Sequence, residues 1–350
     1  MMRKVVVFVD VKSDELCSVI QQQVAKSVAE AEIVFLEGSF ACTLNRRGRW
    51  MVDSVGTFAC FITEKTLDHA DVVYAVYYMR LPVLSLTEGR RARVSILETP
   101  SSLGVADGGS TIEGRAEAVR RFFAFEPTKS AVIVFEGGDG VGKATQTAYM
   151  VKRLGSEGHR VGTIDFPSDI HRYGDLIREI LSGKKGGIRD LDPKLFSLLY
   201  SLNRFDCLNE LRYWMKRGTK VVLDRYYTAN YGHQASKLSE DERVDFIRHL
   251  ELVEVGWFQL PPSDAVIYLD LPPPVALTAM KGDNKREALD IHETANVSYK
   301  EDVRRTYMWC CRNMPGWFHV GCCTDEGVRH SREETHELAY GKIKHCISKA

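Results

Sequence analysis

The chain has 350 residues, 44% of them hydrophobic and 27% charged, and its 47 basic side chains balance 47 acidic ones. A formal net charge of zero excludes a global field for nucleic acid or an anionic membrane, so phosphate binding requires a local basic cluster. No stretch approaches the length of a membrane-spanning helix, and nine cysteines without a C-x-x-C or a secretory leader predict a soluble, reduced, cytoplasmic setting.

The first region opens with a strand, Lys4 to Val9. Leu16, Ile20, Val24 and Val28 then recur four apart, the stripe of a helix. Strands follow at Glu32 to Leu36 and Thr57 to Thr63, a helix at about Leu67 to Tyr78, and a strand at Pro82 to Leu86. This alternation predicts a smaller Rossmann-like α/β domain over residues 1–98. Thr99 to Gly114 is rich in Gly, Ser and Thr and is read as linker, with a connecting helix up to residue 128.

From residue 129 the alternation resumes and runs to the end of the chain. The predicted strands are Ala131 to Phe135, Val161 to Phe166, Lys220 to Leu223, Ala265 to Leu271 and Trp317 to Val320. They are continuous apolar runs, which suits a parallel five-stranded sheet covered by helices on both faces. Between them, Leu195, Leu198, Leu199 and Leu202 predict one buried helical stripe. The adjacent pairs Cys310-Cys311 and Cys322-Cys323 point in different directions on any regular element. They are read as buried free thiols rather than a metal site.

The chemistry begins after the strand at Phe135, with Gly137, Gly138, Asp139, Gly140, Val141, Gly142, Lys143, Ala144 and Thr145. This is G-x-x-x-x-G-K between a buried strand and a helix, the setting of a phosphate-binding loop. The glycines let successive N–H groups turn inward around phosphate oxygens, and the helix N-terminus adds its dipole. Lys143 supplies a charge to the β- and γ-phosphates of ATP. The next residue usually carries the hydroxyl that binds Mg²⁺. Here it is Ala144, and Thr145 is turned about 100° away on a helix. Magnesium therefore falls to ATP oxygens, water and a carboxylate, with Asp224 at the end of its strand as the candidate ligand.

Several segments in order resemble the thymidylate kinase family over about residues 130–350. They are FEGGDGVGKATQ (135–146), DFPSDIHRYG (165–174), LFSLLYSLNRFD (195–206), DRYYTANYGHQ (224–234), DIHE (290–293) and WFHVGC with REETHE (317–337). The resemblance implies transfer of the ATP γ-phosphate to dTMP, with Mg²⁺, by a homodimer. It implies that Asp139 accepts from the acceptor 3′-hydroxyl and that Phe166 and Tyr200 flank the thymine ring. Arg204, Asn230 and Gln234 would recognise the base, and Arg225 and Arg172 the acceptor phosphate. Arg172 substitutes for an arginine that many members carry two residues after Phe-Pro, where this chain has Asp169. Gly140 replaces a loop arginine found in some members, so Lys281, Lys285 and Arg286 are expected as lid cations. His233 stands where Tyr or Phe commonly blocks a ribose 2′-hydroxyl. It is nearly as large but can also hydrogen-bond a hydroxyl.

Two other readings stay open. One is a broader pyrimidine monophosphate kinase for dUMP, UMP or CMP, and the other a nucleotide-binding module without turnover. Each functional side chain also has a plain structural reading: Tyr200 as a core aromatic, Arg204 in an ion pair with Asp206 or Glu210, and 285–286 as a solvated loop. In the first region, Asp68 to Leu86 faintly resembles nucleoside 2-deoxyribosyltransferase-like domains, with Asp71 at the place of a carboxylate nucleophile. The plain reading of Asp71 is an exposed helix residue.

Overall fold

A computed structural model describes residues 4–28, 31–36, 38–40, 57–64, 69–73, 75, 81, 83–86, 103–105, 112–169, 173–184, 191–276 and 297–347. The chain divides into two compact units. The first comprises residues 1–130 and 206–219, the second 131–205 and 220–350.

In the first unit, β1 (Lys4–Asp10), β2 (Ala31–Phe35), β3 (Thr57–Thr63), β4 (Val83–Ser85) and β5 (Leu103–Val105) form one sheet. Its order is β2-β1-β3-β4-β5, and every pairing is parallel. Helix α1 (Asp14–Ser27) starts at Ser13, whose hydroxyl accepts the Leu16 N–H, an ordinary N-cap. Leu16, Ile20 and Val24 are buried, as their spacing predicts. Helix α2 (Ala70–Val73) is the described part of the helix expected at 67–78. The stretch read as linker contains β5 and the start of α3 (Ile112–Phe122), which packs on α1.

Residues 206–219 complete this unit with α7 (Leu208–Lys216). Asn209 accepts the Ala59 N–H of β3 at 3.3 Å, and the Tyr213 hydroxyl donates to the Phe122 carbonyl at 3.1 Å. Asp71 is not exposed, contrary to expectation. It is 6% accessible because its Oδ1 accepts the Phe40 N–H at 2.9 Å.

The second unit is built on β6 (Ala131–Gly137), β7 (Val161–Asp165), β8 (Lys220–Asp224), β9 (Ala265–Asp270) and β10 (Trp317–Gly321). The order β10-β9-β6-β8-β7 is parallel throughout and places β6 in the middle. Alternation along β6 divides its side chains between two faces. Ala131, Ile133 and Phe135 enter a core with Met150 and Leu154 of α4 (Lys143–Ser156) and with Ala339 and Ile343 of α11 (Arg332–Ile347). Glu136 turns to the other face, toward α8 (Ala229–His233) and α10 (Val297–Asn313).

Helix α5 (Gly174–Leu181) packs on α6 (Pro193–Asp206) through Ile177, Leu181 and Phe196. The buried face of α6 is not the expected leucine stripe. Leu195 is 71% accessible and Leu198 is exposed, while Phe196, Ser197, Ser201, Asn203 and Arg204 are buried. Helix α9 (Glu240–Glu251) begins with a capping box at Ser239 and Glu242 and runs into a π-helical turn, Leu252–Trp257. The described cysteines are free; of the two adjacent pairs Cys310 and Cys322 are buried, as expected, while Cys311 and Cys323 are half-buried, and Cys42 lies outside the described residues. Burial pushes the Cys322 thiol up to about 12, so it is held as an inert thiol.

Candidate active site

The loop after β6 takes its shape from three glycines with positive φ. Gly137 (φ 149°) is required by space as well, since a Cβ there would lie 2.7 Å from the Leu269 carbonyl oxygen. Gly140 (φ 77°) turns the loop, and Gly142 (φ 102°) is the N-cap of α4. Lys143 is the first residue of that helix. It is buried and folds back to donate to the Gly138 carbonyl at 2.9 Å. Burial and Arg225 lower its pKa, while Asp139, Asp224 and Glu136 oppose them. Ala144 is exposed and Thr145 half-buried in the first turn. Outside the loop, Arg329 Nη2 donates to the carbonyls of Gly140 (3.2 Å) and Val141 (3.1 Å).

The end of β8 supplies the next group. Asp224 pairs in register with Phe135 on one side and Asp165 on the other, so it lies beside the phosphate loop. Arg225 then takes a left-handed backbone (φ 64°), a conformation that non-glycine residues adopt sparingly. That turn carries its guanidinium over the loop. Nη2 donates to Asp139 Oδ1 at 2.6 Å, and Nη1 donates to the Gly137 carbonyl at 3.3 Å and lies 2.8 Å from His233 Nε2. Burial opposes the charge, but Asp139, Tyr307, Glu136 and Asp224 hold the guanidinium well above the usual arginine range.

Glu136 holds this turn in place and was not singled out from sequence. It is fully buried and accepts the Tyr226 N–H (3.1 Å), the Thr228 hydroxyl (2.6 Å) and the Tyr307 hydroxyl (3.0 Å). Burial raises its pKa against the pull of Arg225 and these donors. A lone acid inside an apolar strand was the available signal.

The remaining predicted residues surround this centre. Phe166, followed by a cis bond to Pro167, is buried with its ring 5.8 Å from Tyr226. Tyr200 is half-buried against Phe196, 4.8 Å between centroids. Asn203 clamps the Phe-Pro segment, accepting the Ser168 N–H and donating to its carbonyl. Asn230 is buried and its Nδ2 has no hydrogen-bond partner among the described residues, while Gln234 Oε1 accepts from Lys237 at 2.9 Å. Arg178 forms a two-pronged pair with Asp169 at 2.6 and 3.1 Å.

Arg204 lies beneath the surface. It is 1% accessible, with Nε and Nη2 on the fully buried carboxylate of Glu254 and Nη1 3.4 Å from the Tyr226 carbonyl. Its partner is therefore neither Asp206 nor Glu210, the neighbours that helical spacing offers. Ser201 donates to the same carboxylate at 2.6 Å. Arg172, Lys281, Lys285, Arg286 and the segment 290–293 lie outside the described residues.

A cleft beside the loop is lined by Gly138, Asp139, His233, Tyr299, Lys300 and Tyr307, among others. Among the described residues no group of three or more His, Cys, Asp or Glu side chains could hold a metal ion. Asp224, beside the loop, is a carboxylate that could serve Mg²⁺, which keeps several waters and takes one or two carboxylates plus substrate phosphates.

The model of the thymidylate kinase family matches residues 135–331. The chain is 28% identical to the thymidylate kinase of Chlorobium luteolum over 214 residues, covering 59% of this chain and 94% of that one. It is 32% identical to the thymidylate kinase of Clavibacter sepedonicus over 191 residues, covering 54% and 84%. A solved thymidylate kinase from Candida albicans aligns with 63% of this chain and 94% of its own, with TM-score 0.46 and 19% identity.

Proposed function

The chain belongs to the thymidylate kinase family, and on that footing we propose that it transfers the γ-phosphate of ATP to dTMP, giving dTDP. The observation that carries this reading is the Arg225–Asp139 pair, which ties an acceptor-side guanidinium to the ATP-side loop. Phosphoryl transfer asks the protein for little beyond holding two polyanions in line and neutralising charge. The acceptor phosphate is already an anionic nucleophile and needs no general base.

In this reading the loop amides and Lys143 hold the donor phosphates. Lys143 gives up its Gly138 carbonyl for a phosphate oxygen. Arg225 presents its fork to the acceptor phosphate, the geometry that suits a guanidinium. Asp139 accepts from the 3′-hydroxyl. The unpartnered amide of Asn230 supplies a donor for a base carbonyl. Arg204 and Glu254 act beneath the surface, fixing α6 against the π-helical turn. Mg²⁺ with Asp224 as its protein ligand would offset the charge on the transferring phosphate. Arg172, Lys285 and Arg286 complete the proposed cation set, and the family reading extends to a homodimer acting in the cytoplasm.

No helix among the described residues is long and apolar enough to cross a membrane. Phosphorus NMR of the full chain with Mg-ATP and dTMP tests the reaction. Growth of dTDP resonances matched by ADP supports it, and ATP hydrolysis without dTDP removes it.

A further inference from the structure

We propose that His233 is the positioning residue for Arg225, held as the neutral Nδ1–H tautomer by a hydrogen-bond chain that starts on α10. The inference rests on the assignment of Arg225 to the acceptor phosphate.

Arginine nitrogens only donate. The 2.8 Å contact between Arg225 Nη1 and His233 Nε2 therefore requires a lone pair on Nε2. The other ring nitrogen is settled by Tyr299. Its hydroxyl donates to the His233 carbonyl at 3.1 Å, so toward Nδ1, 3.4 Å away, it presents a lone pair. Nδ1 carries the hydrogen, and both ring nitrogens are spent inside the protein. Tyr307 stacks edge-on at 6.1 Å and closes a third side. His233 is 9% accessible.

Two consequences follow for the acceptor site. Both ring nitrogens being engaged, His233 offers the acceptor site bulk and no ring nitrogen. The Arg225 fork is also braced from both sides, by Asp139 and Gly137 on the loop and by His233 on α8. Protonating Nε2 would replace an acceptor by a second cation at hydrogen-bond distance and drive Arg225 off its position.

The charged groups on the packed elements do not cancel this effect. Asp139 on the loop is held by Arg225, and Glu136 on β6 by Tyr226, Thr228 and Tyr307. Lys300 lines the same cleft from α10, beside Tyr299 and Tyr307, and Lys237 after α8 donates to Gln234.

The test has two readouts on the full chain. Long-range proton–nitrogen NMR of His233 should give the Nδ1–H pattern near neutral pH; the Nε2–H tautomer or an imidazolium there overturns the proposal. Steady-state kinetics then compare wild type, His233→Gln and His233→Phe from about pH 8 down to about pH 5.5, the range in which histidine changes charge. The Gln amide oxygen can accept from Arg225 at every pH, whereas Phe cannot accept at all.

The expected result is a dTMP KM about tenfold higher in His233→Phe, with a smaller change in kcat. His233→Gln, whose amide oxygen can still accept from Arg225, should keep a dTMP KM close to that of wild type. Ionisation of dTMP itself contributes equally to all three and drops out of the ratios. Equal dTMP KM values in wild type and His233→Phe overturn the proposal. A chain that does not turn over dTMP overturns the acceptor assignment of Arg225, and the spectrum still decides the His233–Arg225 contact.

Discussion

Asp139 of the phosphate loop accepts a 2.6 Å hydrogen bond from Nη2 of Arg225, 86 residues further along the chain. The pair joins the β6 loop to the β8 turn across neighbouring strands. In its proposed role Arg225 serves the loop and the acceptor together because its donors form a planar fork. Arg225→Lys keeps the charge and loses the fork. The expected outcome is a fall in kcat/KM for dTMP of at least ~10²-fold with ATP affinity little changed. Initial rates against dTMP, alongside ATP binding by calorimetry, check this; a loss confined to ATP binding would place Arg225 on the donor side.

Arg204 and Glu254 form a buried ion pair on which Ser201 also converges. Removing one partner leaves the other charge desolvated and unpaired. Glu254→Ala is expected to destabilise the fold by about 3–5 kcal/mol. Denaturant titration measures this. A cost within about 0.5 kcal/mol, the size of an ordinary surface change, would mean that Arg204 finds water or another partner.

Ala144 leaves the first turn of α4 without the hydroxyl that phosphate loops usually aim at magnesium. Ala144→Ser restores an oxygen there. The free Mg²⁺ needed for half-maximal rate is expected to fall severalfold, since a hard cation gains an oxygen ligand. An unchanged magnesium dependence would place the metal away from this turn.

Much of the second unit was legible because its inner strands β6, β8 and β9 are buried on both faces and read as largely apolar runs. Each predicted strand matches an observed one to within two residues at either end. The phosphate loop was legible because its glycines are forced by backbone geometry. Helix α6 was not. Periodicity assumes that buried means apolar, but Ser201, Asn203 and Arg204 are buried because Glu254 and Ser168 satisfy them from far away in the chain. The same applies to Asp71, whose burial depends on the Phe40 N–H. It applies equally to residues 206–219, which join the first unit through bonds to β3 and α3. Long-range polar partners leave no local pattern.

The central claim is most directly tested by ADP release from the full chain with Mg-ATP and, in turn, dTMP, dUMP, UMP, CMP and AMP. The account predicts the fastest turnover on dTMP, reduced at least ~10²-fold in Lys143→Ala, the scale of one strong electrostatic contact. Turnover spread evenly over the ribonucleotides, or none with ATP still bound, would contradict it.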